Sequence, residues 1–249
     1  GTQMGSHDGL SLYNRTLNEL VMDNSGVFVC AAGNDGNVKI HTSHTFTADN
    51  EVRYAIIDPA TTTQGYSYLS IWEQTGDGNE NITVEPCYFK TSTKRVTTYA
   101  ADRDHASTSL QSGIDSYSKK QNFTIICMHE TLKQEVNADD ICFGVKITGK
   151  KGASVHIWNN TGLGEFYVPA SVSPVGGAKR EQFLAGDSEY TVSDSGASAE
   201  KSITVGSYNS GRYNWQPLSG DEMLGYYDYK QAGIRSKFSG RGPSLTENV

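Results

Sequence analysis

No apolar run in this chain approaches the ~18 residues that a membrane-crossing helix needs, and the first residues lack the charged-then-apolar order of an export signal. No membrane span is expected. Nor is there a basic stripe. Lys and Arg number 21 against 28 Asp and Glu, for a formal net charge of -7, and they come as scattered pairs such as Lys119-Lys120 and Lys150-Lys151. A nucleic-acid partner needs clustered cations, so none is expected, and the pairs read as solvated turns. Cysteine is scarce too: Cys30, Cys87, Cys127 and Cys142 never form a C-x-x-C pair, which argues against zinc and against a dithiol redox motif. Set in apolar runs, the four are expected to be free buried thiols packing as small hydrophobes, with a disulfide between two of the central three left open. No third ligand at a recognisable spacing accompanies His41 and His44, so these histidines read as loop polarity and not as a metal site. No cofactor is expected.

What is present falls into three stretches. From Ser11 to Met22 the residues Tyr13, Leu17, Leu20 and Val21 recur at the spacing of an amphipathic helix packed on one face. Asp8 or Ser11 can cap its start, and Gly26 marks its end. Val27-Phe28-Val29-Cys30-Ala31-Ala32 follows, a continuous apolar run that predicts a parallel strand buried on both faces. From about His44 to about Ser195 the helical period disappears. Runs rich in Thr, Tyr, Val and Ile alternate with Gly, Asn, Asp and Ser, predicting strands at 53–57, 66–72, 82–90, 95–100, 122–129, 141–148 and 154–158. Such a series points to a β-sandwich of jelly-roll or related topology. After Ala199 a short strand over Lys201–Ser207 ends at glycine, and glycine and proline force irregular backbone over Ser236–Pro243. The expected fold class is therefore α/β plus all-β, divided as 1–42, 43–198 and 199–249.

Chemistry is suggested by Ala31-Ala32-Gly33-Asn34-Asp35-Gly36. Asn34 would stand at the carboxyl end of a parallel strand, where α/β folds gather their sites, and a side-chain amide there can donate to a developing oxyanion. Taken alone, Gly-Asn-Asp-Gly also makes an ordinary turn.

The order of segments goes further. Helix, Val27–Gly36, Ile203-Thr204-Val205-Gly206-Ser207 and Phe238-Ser239-Gly240-Arg241-Gly242-Pro243 together resemble the subtilisin-like serine peptidases. In that family a strand running into Ala-Ala-Gly-Asn-Glu-Gly precedes Ile-Thr-Val-Gly-Ala and then Phe-Ser-Ser-x-Gly-Pro. The resemblance covers about residues 1–41 and 199–249. It implies that Asn34 is the oxyanion donor, that Ala31, Ala32 and Gly33 wall the pocket for the substrate side chain, and that backbone near them pairs with extended substrate. It leaves open whether Gly1 corresponds to the glycine of the opposing wall. Asp35 replaces the usual glutamate and Gly240 the usual second serine.

The family's aspartate and histidine motifs are expected before Gly1 and its Gly-Thr-Ser nucleophile motif after Val249. On this reading the chain is a part of a serine endopeptidase, inactive alone because nucleophile and base are absent. The β-rich middle looks like the jelly-roll domain that some bacterial members insert between asparagine and nucleophile. The resemblance implies a peptide or protein substrate for the parent, and a secreted or cell-envelope location. The alternatives are a β-sandwich module that binds a glycan or a protein partner, and a pseudo-protease. His7-Asp8 among nearby serines is not expected to form a triad, since neighbours in a glycine-bounded loop seldom face each other. The acidic pairs Asp102/Asp104 and Asp139/Asp140 read as turns. Trp72, Trp158 and Trp215 suit either a sugar-binding face or a packed core.

Overall fold

The computed structural model describes residues 3–24, 26–62, 64–101, 105–160, 163–209 and 232–245. Helix α1 (Leu12–Asn24) leads into β1 (Phe28–Ala31). Ten strands follow: β2 (His41–Thr45), β3 (Glu51–Thr62), β4 (Tyr66–Glu73), β5 (Ile82–Lys90), β6 (Arg95–Thr98), β7 (Thr108–Ile114), β8 (Gln121–Met128), β9 (Ile141–Gly149), β10 (Ser154–Asn159) and β11 (Leu163–Tyr167). A second helix, α2 (His129–Val136), separates β8 from β9, and β12 (Ser202–Val205) comes last. No helix among the described residues is long and apolar enough to cross a membrane.

The ten middle strands form two five-stranded antiparallel sheets with the orders β2-β10-β4-β8-β7 and β11-β3-β9-β5-β6. The chain passes from one sheet to the other at each step from β2 to β5 and again from β8 to β11. Alternation explains the packing. In β8, Phe123, Ile125 and Cys127 are buried while Asn122, Thr124 and Ile126 are not, the period-2 pattern of a strand with one face on a core. Leu69, Ile71, Ile125, Val155 and Ile157 from one sheet meet Ala55, Ile57, Val84, Val145 and Ile147 from the other in one cluster. The outer face of the second sheet carries Tyr54, Ile56, Phe89 and Cys142, covered by Ala178 and Phe183 of the segment after β11.

Outside the sandwich, β1 and β12 pair in parallel, Phe28 with Ser202 through Ala31 with Val205. The expected burial on both faces is not met. Val27, Val29, Ile203 and Val205 are each at least half exposed, while Leu17 of α1 and Gly196 gather against Phe28 and Cys30, which are half-buried. The expected helical stripe is likewise reduced. Leu17 is buried but Tyr13 and Leu20 are exposed. Ser11 accepts from the Asn14 amide at 3.4 Å and caps α1, whereas Asp8 bonds the Leu10 amide one turn earlier.

The middle of the chain departs from an unbroken series of strands. Helix α2 interrupts the strands, and His41 and His44 lie in β2, not a loop. All four cysteines are free thiols, three of them buried and Cys30 partly so. Asp102, Asp104 and Trp215 lie outside the described residues.

Candidate functional site

Beyond Ala31 the chain keeps one more bond to β12 and then takes new partners. The Ala32 amide donates to the Val205 carbonyl at 2.9 Å, and the Ala32 carbonyl accepts from the Ser193 amide at 2.9 Å. The Gly33 carbonyl accepts from the Gly240 amide at 2.9 Å, and the Gly36 amide donates to the Phe238 carbonyl at 2.8 Å. Segments 31–36, 202–207 and 238–241 therefore converge, although the sequence separates them widely. Gly33 sits at φ +102°, a region that suits glycine, and turns the chain so that Asn34 leaves the strand. A side chain at Gly240 would strike the Ala32 and Thr191 carbonyls, so the usual second serine of the compared motif has no room here.

Asn34 is exposed, and among the described residues nothing engages its amide. Asp35 beside it is buried and accepts from Gln3 Nε2 at 2.7 Å, which ties this turn to the first described residues. Ala31 is exposed, Ala32 buried and Gly33 half-buried. Gly1 lies outside the described residues.

One supporting segment escaped the sequence reading. Thr191–Ser198 threads beneath Gly33: the Thr191 and Val192 amides donate to the Arg241 carbonyl at 2.9 and 3.1 Å. Asp194 is buried and accepts from the His7 amide at 3.0 Å and from Asn14 Nδ2 at 3.2 Å. Burial raises the Asp194 carboxyl to about 6, against the pull of bonds from Ser11, His7 and Asn14. The signal for this segment was slight, a run of Ser, Ala and Gly just ahead of β12.

Histidines gather where the sandwich meets this loop. His41 Nδ1 lies 2.7 Å from Asp187 Oδ1 and its Nε2 lies 2.9 Å from His156 Nδ1. The carboxylate only accepts, so Nδ1 of His41 carries the hydrogen of that bond, and its Nε2 shares a hydrogen with His156 Nδ1. His7 stacks on Trp158 with centroids 4.1 Å apart and donates from Nδ1 to the Val192 carbonyl at 2.9 Å. Burial lowers His7 to about 4 and His156 to about 3. Asp8 does not touch the His7 ring; it pairs with Lys120 at 2.6 Å and accepts from Ser6 and Leu10. Among the described residues no cluster of three His, Cys, Asp or Glu side chains can hold a metal ion.

No family model matches this chain, and no curated protein does. Among solved structures it is similar to the CspB protease of Clostridium perfringens. The superposition has a TM-score of 0.54 and 17% identity, and covers 98% of this chain and 44% of that one. At that identity the likeness is one of fold: a protease-type architecture, rich in β-sheet, of which this chain spans less than half the length.

Proposed function

We propose that this chain is a part of a subtilisin-like serine endopeptidase, with Asn34 as the donor to the tetrahedral oxyanion. The observation that carries the reading is the meeting of three motif segments at Gly33 and Asn34, which leaves the Asn34 amide facing solvent at the carboxyl end of a parallel strand. In this reading residues 1–42 and 199–249 belong to one α/β lobe and 43–198 form an inserted jelly-roll domain. The strand order, with successive strands alternating between sheets, supports that topology. So does a protease superposition that takes in nearly the whole chain.

Ala31, Ala32 and Gly33 act by shape. Both backbone groups of Ala32 and the carbonyl of Gly33 are already bonded within the chain, so at these groups the stretch offers a wall to the substrate side chain and not a ladder for its backbone. The peptide backbone would be held elsewhere, and the nucleophile, base and aspartate would come from polypeptide beyond these residues. Asn34 is exposed, and among the described residues no side chain packs its amide in place. Replacing it with leucine in the full-length protein should lower kcat about 100- to 1000-fold, a range that itself comes from subtilisin, while leaving Tm unchanged. Labelling of the full-length protein by a fluorophosphonate, abolished by prior denaturation, is expected; a folded protein that takes no label, or an Asn34→Leu variant with full turnover, overturns the assignment.

A further inference from the structure

The sandwich presents a second surface, remote from the peptidase reading. Leu69 and Ile71 of β4 point into the core, so Tyr66, Tyr68, Ser70 and Trp72 stand on the outer face; the bond from Trp72 Nε1 to Ser70 Oγ at 3.0 Å lies along that face. On the β10 side the face is covered, with Trp158 fully buried under His7. On the β8 and β7 side it is open. Tyr66, Tyr68 and Trp72 are half-buried, Ile126 is 37% exposed and Met128 48%.

The chemistry of this open half is unusual for a chain that is 20% charged. Register sets Asn122 opposite Trp72, Thr124 opposite Ser70, and Gln111 opposite Thr124. None of the outward positions on β4, β8 and β7 is Asp, Glu, Lys or Arg. Among the described residues these strand positions offer an anionic polymer, a lipid headgroup or a charged peptide no countercharge, and Lys120, beyond the Trp72 end beside Gln74, is already paired with Asp8. A purely apolar partner would leave the amides and hydroxyls unpaired, at a cost. Sugar rings match both features, since their C–H faces lie against aromatic rings while their hydroxyls bond Asn, Gln, Ser and Thr. Tyr66 and Trp72 are six residues apart on one strand, a span of about 20 Å, and His7 stacked on Trp158 bounds the face on its β10 side.

We propose that this face binds a neutral, linear polysaccharide along β4. Affinity electrophoresis of the whole chain in gels containing hydroxyethylcellulose, xylan or galactomannan, with heparin as the anionic comparison, tests it. Retardation by at least one neutral polymer is expected. The Tyr66→Ser/Tyr68→Ser variant should weaken it about tenfold or more, the loss of two stacked rings, whereas Glu85→Gln on the opposite sheet should leave it unchanged. Trp72→Phe keeps a ring in place, so binding should persist while any sugar-induced change in tryptophan emission disappears; this readout stands if the double variant fails to fold. The proposal is overturned by no retardation in any neutral gel, by retardation in heparin alone, by a folded double variant that binds as before, or by an emission change that survives in Trp72→Phe. Self-association of the chain that the double variant abolishes also overturns it, since the face would then serve a second copy.

Discussion

Lowering the pH from 8 to 5 should cost the folded chain about 2.5 kcal/mol, with two imidazoles and one carboxyl setting the figure. His7 and His156 are held at about 4 and about 3 in the folded chain, chiefly by burial, and return to 6.5 on unfolding. The unfolded chain therefore takes up their protons first. Their contribution is complete above pH 6.5 and drains away as the pH falls, by about 2 kcal/mol for each ring at pH 5. Asp194 acts in the opposite sense. Its carboxyl is raised from 3.8 to about 6, so the folded state holds a proton that the unfolded state releases, and moving from pH 8 to pH 5 returns about 1.5 kcal/mol. Other charges face this junction from each element: Lys120 and Asp8 form a pair across it, and Asp187 accepts from His41. Urea unfolding at pH 8, 7, 6 and 5, with free energies extrapolated linearly, measures the change. His156→Gln should remove about 2 kcal/mol of the pH dependence. A stability constant within about 0.5 kcal/mol from pH 8 to pH 5, or an undiminished dependence in His156→Gln, would refute the reasoning.

Other perturbations have equally definite outcomes. Gly240→Ala drives a methyl group into the Ala32 and Thr191 carbonyls and should destabilise by about 1–3 kcal/mol, seen as a lower Tm. Lys120→Met leaves the Asp8 carboxylate buried without its partner and should cost about 3 kcal/mol in urea unfolding; adding Asp8→Asn should restore part of that. Leu69→Ala, at a fully buried position of the sandwich, should lose about 2–5 kcal/mol, whereas Leu12→Ala, 72% exposed on α1, should lose little.

Where a strand is half-buried in one large core, its sequence announced it: the runs expected at 66–72, 82–90, 122–129, 141–148 and 154–158 coincide with β4, β5, β8, β9 and β10 within a residue or two. The elements that went unread lack that alternation. Strand β2 is His-Thr-Ser-His-Thr, whose burial is achieved by polar side chains bonded to Asp187, His156 and Glu51. Strand β7 is a mostly exposed edge, and β11 carries Gly164 at positive φ with a shift of register beside it. Helix α2 has eight residues and buries only His129 and Leu132, too few to print a stripe. At the candidate site the motif residues were legible, and the Thr191–Ser198 segment that supports Gly33 was not, because small polar residues bonding through backbone leave no period.

Backbone bonds between His41 and Asp187, 3.3 Å one way and 2.8 Å the other, hold together the points where the chain enters and leaves the sandwich. That bridge bears on how the parallel pair forms. Residues 32–201 lie between β1 and β12, and closing so long a flexible loop costs entropy that grows with the logarithm of its length. Once the sandwich has folded and clipped its own ends together, only residues 32–40 and 188–201 remain to be ordered. The closure cost falls by about 2 kcal/mol, which favours the four residue pairs of β1 and β12. The parallel pair beside Asn34 thus leans on a folded sandwich that is itself built elsewhere in the chain.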